Sequence, residues 1–213
     1  MKQVIQYLNQ QSITLLETPI PKINKNNILV RTSISLISSG TERMLTEFAK
    51  SNLFEKVKQQ PEKVKEVLNK LNTDGIFATY EAVSSKMDIP LEMGYCNVGE
   101  VIEIGENCKD KFNIGDRVVS NGPHAEIIST SEKLCACIPD DVSDQEAVFT
   151  VLGSISLHGI RCIEPCIGET FLVSGLGIIG LLTCQILIAN GCKVLGFDPC
   201  LLYTSDAADE TCR

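Results

Sequence analysis

Three glycines within six residues, Gly175, Gly177 and Gly180, lie between two apolar runs and narrow what this chain can fold into. Thr170 to Ser174 reads as a short strand and Leu181 to Ala189 as an apolar helix. After Gly191, Lys193 to Phe197 reads as a second strand that ends at Asp198. Each glycine has its own reason to be there. Gly175 lets the chain turn tightly, Gly177 lets backbone N–H groups approach a ligand, and Gly180 lets helix and strand pack closely. The helix that follows presents unpaired N–H groups and a partial positive charge at its start, which suits a phosphate. Asp198 stands 18 residues beyond Gly180. At a spacing of about 20 residues a carboxylate reaches ribose hydroxyls.

Strand, glycine turn, helix, strand and acid in that order match the opening of a Rossmann domain. Gly175, Gly177, Gly180 and Asp198 are therefore the expected cofactor-binding residues, with NAD favoured over NADP because Asp198 would repel a 2′-phosphate. A glycine-rich turn in some other α/β unit is the alternative. A Rossmann domain needs further strands, and the residues after Pro199 offer none. Cys200 to Glu210 has no apolar period. A codon reading of it, TGT CTC TTA TAC ACA TCT GAC GCT GCC GAC, resembles a transposase sequencing adapter. Residues 200–213 are thus expected to be an artefactual tail, with a genuine tail as the alternative, and the cofactor domain is expected to be truncated after its first strand–helix–strand unit.

A chain with 44% hydrophobic and 22% charged residues is in the range of ordinary globular proteins. Its formal net charge of −8 argues against nucleic acid or an anionic membrane as partner. Lys56, Lys58, Lys63, Lys65 and Lys70 alternate with Glu55, Glu62 and Glu66, which describes a solvated helix face. The N-terminus has no apolar signal core, so a cytoplasmic location is expected. Phe171 to Ala189 is uncharged, but its three glycines suit a buried α/β unit better than a membrane span. The cysteines form no C-x-x-C pair, and buried reduced thiols are their expected state.

Before residue 143 the chain is mostly short strand-like runs separated by turns. These are Val4–Leu8, Ser12–Glu17, Ile28–Leu36, Val98–Ile104, Asp116–Ser120, Ala125–Thr130 and Lys133–Ile138. Regular short strands suggest a barrel. Helical spacing from Met44 to Leu71, with a new start at Pro61, marks a helical insertion. Ser143 and Glu146 form a capping box that starts a helix running to about Cys162 and ending at Glu164-Pro165. The expected domains are residues 1–142, a barrel with the insertion at 44–71, and residues 143–199, a linking helix followed by the start of the Rossmann domain.

Four segments carry a resemblance: Ser38-Ser39-Gly40-Thr41-Glu42-Arg43, Gly94-Tyr95-Cys96-Asn97-Val98-Gly99-Glu100-Val101, Phe112-Asn113-Ile114-Gly115-Asp116-Arg117-Val118-Val119, and the glycine turn. Together they resemble the medium-chain dehydrogenase/reductase family over residues 1–199. The resemblance implies an α/β fold with a β-barrel: a GroES-like N-terminal barrel followed by a Rossmann domain. Gln60-Pro61-Glu62-Lys63-Val64 and Asn121-Gly122-Pro123-His124-Ala125-Glu126 narrow the match to the dehydrogenase half of bacterial two-domain oxidoreductases. Zinc-dependent members have cysteine where Ser39 stands and Gly-His-Glu where this chain has Gly94-Tyr95-Cys96. Near Gly153, where many carry another ligand, no Cys, His or Asp is found. A catalytic zinc needs three protein ligands, so none is expected. A site rebuilt from Glu42, Cys96 and His124 is the alternative.

Hydride transfer from an alcohol needs a group that takes the hydroxyl proton and a group that stabilises the developing alkoxide. Tyr95, at the position of a lost ligand, Glu42, after the Ser-Gly-Thr turn, and His124, on a Gly-Pro loop, are the expected catalytic residues. Arg43 is a further candidate, and His158 reads as structural. The resemblance implies a zinc-free oxidoreductase that moves a hydride between a nicotinamide cofactor and a carbonyl or secondary alcohol, with a sugar or polysaccharide precursor as the small-molecule substrate. A zinc-free quinone or enone reductase, a zinc-dependent alcohol dehydrogenase and a non-catalytic nucleotide-binding module stay open. A covalent second oxidoreductase half and a homo-oligomer are the expected partners.

Overall fold

Ile28, Leu29 and Val30 are all buried, where a half-buried strand would alternate. Such a run belongs to a strand covered on both faces and flanked on both edges. In the computed structural model of the protein, which describes residues 1–7, 12–50 and 90–199, that strand is β3 (Asn27–Ser35). It lies between β7 (Ile127–Ser131) and β5 (Asn97–Ile104), and β6 (Arg117–Ser120) and β8 (Cys135–Cys137) complete an antiparallel sheet of order β7-β3-β5-β6-β8. Ile28, Val30, Val101, Val118 and Ile128 form its core with Cys108, Phe112 and Ala125. Each fully buried aliphatic side chain there contributes about 1.5–3 kcal/mol.

A second antiparallel sheet, of order β2-β1-β4, is formed by β1 (Lys2–Tyr7), β2 (Ile13–Glu17) and β4 (Pro90–Glu92). The expected strands are present, but among the described residues they do not close into one barrel. β1 reaches the larger sheet's segment through a single bridge, Gln3 to Ala125. Register shifts between β3 and β5 at Leu29/Val30 and Thr32/Ile34 bend the larger sheet locally. β4 has no sequence signal, since three residues opening on Pro90 are too few to show a period.

The helical insertion starts earlier than its apolar spacing suggests. Helix α1 spans Ser39–Lys50 and takes in the Ser-Gly-Thr segment expected to be a turn. The second helix expected from Pro61 lies outside the described residues, as does the tail at 200–213.

The chain divides into two compact units, Met1–Cys137 and Ile138–Arg213. In the second, Ser143 and Glu146 form the expected capping box, and the box holds the Glu146 carboxyl below its ordinary range. The helix it starts is shorter than expected: α2 (Asp144–Ala147) stops and α3 (Thr150–Ile163) follows. Phe149 N–H donates to Glu146 O, three residues back, and this tightened turn separates the two. Glu164, left-handed at φ 47, ends α3 before Pro165. Strands β9 (Thr170–Ser174) and β10 (Lys193–Phe197) pair in parallel, joined through α4 (Ile178–Ala189). Ile160, Leu187 and Cys192 form the core between the helices and one sheet face, with Phe171, Val173 and Val194 against them. The other residues of these strands face outward, with Leu172 at 71% and Leu195 at 61% exposure. No helix among the described residues is long and apolar enough to cross a membrane.

Candidate functional site

In the second unit the glycine turn is built by close backbone approach. Gly175 sits at φ +93, a conformation that disfavours any side chain. Its N–H donates to Phe197 O at 2.7 Å, which ties the turn to the end of β10. A Cβ on Gly180 would lie 1.8 Å from Gly175 O, so helix and turn touch only because that atom is missing. Gly177 caps α4 with no side-chain hydrogen bond, and a Cβ there would meet nothing within 4 Å. The start of α4 therefore presents open backbone, which fits a pyrophosphate. Asp198 Oδ2 accepts a hydrogen bond from Leu176 N–H at 2.6 Å, inside the turn. Asp198 is thus tied into the glycine turn across the 22 residues that separate it from Leu176, in one structural element with Gly175, Gly177 and Gly180.

In the first unit, side chains distant in sequence meet. Tyr95 Oη lies 3.1 Å from Thr41 Oγ1, and both residues are half-buried. Glu42, in the first turn of α1, accepts at Oε1 from Ser38 N–H at 2.9 Å and pairs with His124 Nε2 at 3.2 Å. His124 Nδ1 lies 2.8 Å from Ser35 Oγ at the end of β3. The ring is only 8% exposed and packs against Gly94, where a Cβ would stand 2.6 Å from ring atoms. At φ +88, Gly94 also adopts a backbone that favours glycine. The His124 backbone is held too, its N–H on Met93 O and its carbonyl on Val4 N–H.

The structure thus brings Glu42 and His124 together and sets Tyr95 on Thr41, one residue before Glu42. His124 is enclosed, with both ring nitrogens engaged, where its loop position had suggested a cleft-facing group. Arg43 points elsewhere: its Nε donates to Glu47 at 2.7 Å on the exposed side of α1. His158 is exposed on α3, 3.9 Å from Cys162 Sγ. Thr41 and Ser35 had gone unread. Thr41 stood in a motif read for Glu42, and Ser35 ends a strand with nothing to distinguish it from other serines.

Zinc fits these residues poorly. Among the described residues no three of His, Cys, Asp and Glu group to hold a metal ion. Ser39 is exposed at the start of α1, and Cys96 is fully buried. The described cysteines are free. Burial, with the neighbouring Cys137, pushes the Cys135 thiol up to about 12, so both stay protonated thiols near neutrality.

No protein-family model matches the chain. Over 129 residues it is 27% identical to (R,R)-butanediol dehydrogenase of Bacillus subtilis, covering 48% of this chain and 37% of that one. Galactitol-1-phosphate dehydrogenase of Escherichia coli superposes with a TM-score of 0.70 at 18% identity, covering 98% of this chain and 59% of that one. Escherichia coli quinone oxidoreductase complexed with NADPH gives 0.67 at 17% identity, covering 98% and 56%. The fold is thus that of the alcohol dehydrogenase-like oxidoreductases. In sequence and fold alike the chain resembles the medium-chain dehydrogenase/reductase family, and it spans about a third to three fifths of the length of these relatives.

Proposed function

We propose that this chain belongs to a zinc-free oxidoreductase that moves a hydride between NAD(H) and a carbonyl or secondary alcohol on a small molecule. The observation that carries the reading is the glycine turn with Asp198 bonded into it at 2.6 Å. When bound there, the nicotinamide cofactor supplies the hydride or accepts it. A carboxylate at this place accepts hydrogen bonds from free ribose hydroxyls and repels a 2′-phosphate, which favours NAD over NADP. The similar quinone oxidoreductase is described as a complex with NADPH, so the fold by itself does not fix the cofactor, and Asp198 is the feature of this chain that supports NAD.

The substrate oxygen is met by the Tyr95–Thr41 pair. With the Thr41 hydroxyl donating to Tyr95 Oη, the phenol O–H is free to donate outward, toward the substrate oxygen. An alkoxide that a metal would otherwise hold is then stabilised by a hydrogen bond from tyrosine. Glu42 accepts or returns the hydroxyl proton, and His124 positions it. Similarity to a galactitol-1-phosphate dehydrogenase supports a sugar or polysaccharide precursor as substrate. A second reading, quinone or enone reduction, is favoured by the likeness to quinone oxidoreductase and needs no alkoxide stabiliser. The proposal extends to a cytoplasmic protein, a homo-oligomer and a covalent second oxidoreductase half.

Titration of the chain with NADH and NADPH, followed by nicotinamide fluorescence, tests the cofactor assignment. NADH is expected to bind more tightly, and equal or tighter NADPH binding contradicts the assignment. In turnover, Tyr95→Phe is expected to lower kcat more than it weakens cofactor binding, because the phenol's bond strengthens only in the transition state. Loss of activity on chelation, restored by zinc, overturns the zinc-free chemistry.

A further inference from the structure

The cluster around Glu42 contains one hydroxyl that hydride transfer does not use. Ser35 closes β3, half-buried, with Oγ 2.8 Å from His124 Nδ1. On the far side of the ring, Nε2 faces Glu42 Oε1 at 3.2 Å. An ionised carboxylate only accepts hydrogen bonds, so Nε2 must carry a proton. In a neutral imidazole Nδ1 is then the acceptor, and a serine hydroxyl, which can turn to donate, is the partner it needs. We infer that Ser35 is a positioning residue that holds His124 as the Nε2–H tautomer and, through it, aims the Glu42 carboxylate.

The geometry leaves the ring little choice. Its backbone N–H and carbonyl are tied to Met93 and Val4, and Gly94 backs its face. Two donors, His124 Nε2 and Ser38 N–H, converge on Oε1. Among the described residues the hydrogen bonds to the Glu42 carboxylate fall on Oε1, which leaves Oε2 as the oxygen to handle a proton. Two hydrogen bonds in series thus run from the end of β3 through the ring to the start of α1, and a third, from Ser38 N–H, meets them at Glu42 Oε1. Removing the Ser35 hydroxyl leaves a buried Nδ1 without its donor. The ring then turns from Glu42 or changes its proton, and the carboxylate loses its support. This inference rests on the reading of Glu42 as the group that handles the hydroxyl proton, but its test does not.

The chain has two histidines, so His158→Gln leaves His124 as the single imidazole. Nitrogen-15 spectra of this full chain are expected to show one neutral tautomer, with a pyrrole-type Nε2 and a pyridine-type Nδ1. Ser35→Ala is expected to abolish that pattern, and Ser35→Thr, which keeps a hydroxyl, to restore it. An Nδ1–H tautomer in the parent overturns the inference whether or not the variants fold. So does an unchanged imidazole spectrum in a folded Ser35→Ala chain. Failure of the oxidoreductase reading would show in nucleotide titration instead and would leave these spectra as they are.

Discussion

The glycine turn and the hydroxyl–carboxylate cluster follow opposite plans. The turn is written in one continuous stretch and made of backbone: Gly175, Leu176 and Gly180 contact one another or the end of the adjoining strand. The cluster is made of side chains from four separated segments, with Ser35 and His124 89 residues apart and Glu42 and His124 82. Backbone placed by a strand–helix junction tolerates no added atom where helix and turn touch, at Gly180, but leaves open space at Gly177. A side-chain cluster responds the other way, since each member depends on partners that several elements deliver. Packing differs as well. The central strand of the first unit is buried on both faces at Ile28, Leu29 and Val30, whereas the two-stranded sheet of the second turns Leu172, Leu195 and Phe197 outward.

The sharpest way to break this contrast is to put an atom where the turn has none. Gly180→Val places Cβ 1.8 Å from Gly175 O, and overpacking of this kind costs about 1–3 kcal/mol or more. Loss of measurable NADH binding is expected in fluorescence titration; retained binding would show that the turn yields. Gly94→Ala probes the cluster in the same manner. The left-handed backbone costs about 1–2 kcal/mol, and the His124 ring must also shift. A fall in the urea midpoint is expected, together with a changed His124 spectrum. A stability loss with that spectrum intact would separate the glycine from the cluster.

Asp198→Ala sharpens the comparison from the side-chain end of the turn. A hydrogen bond to a charged group contributes about 1.5–3 kcal/mol, so NADH affinity should fall about tenfold or more while NADPH affinity falls less. Equal losses for the two cofactors would mean that Asp198 only holds the turn. Ser143→Ala, remote from both regions, removes one half of the capping box and should cost about 1 kcal/mol in denaturant unfolding.

The smallest effect concerns Cys135. Its folded-state value, pushed up to about 12, lies above the ordinary 9.0 of an unfolded thiol. Between those values the unfolded chain has released a proton that the folded chain still holds. The stability that this burial confers is complete below pH 9 and is lost as pH rises toward 12. A shallow decline in the unfolding midpoint above pH 9 is expected, flatter in Cys135→Ala. An equal slope in that variant would assign the decline to other groups.

The amino-acid sequence determined the elements whose causes are local. Strand runs, the capping box at Ser143 and Glu146, the end of α3 at Glu164-Pro165 and the glycine turn with its acid all depend on residues a few positions apart, and each was legible in order and place. Tertiary structure decided where pairing over long separations sets the outcome. It recruited Pro90–Glu92 to the edge of β1, left the described strands of the first unit in two sheets, and tightened the chain at Phe149 to divide α2 from α3. It also decided the roles within the cluster. Tyr95, Glu42 and His124 were legible as polar residues at motif positions, but nothing in their spacing said that His124 would be enclosed, that Arg43 would turn to Glu47, or that Thr41 and Ser35 would complete the hydrogen bonds. Side-chain hydrogen bonds reach about 3 Å, and only the folded path of β3, α1 and the Gly94 and His124 segments brings those atoms within that distance.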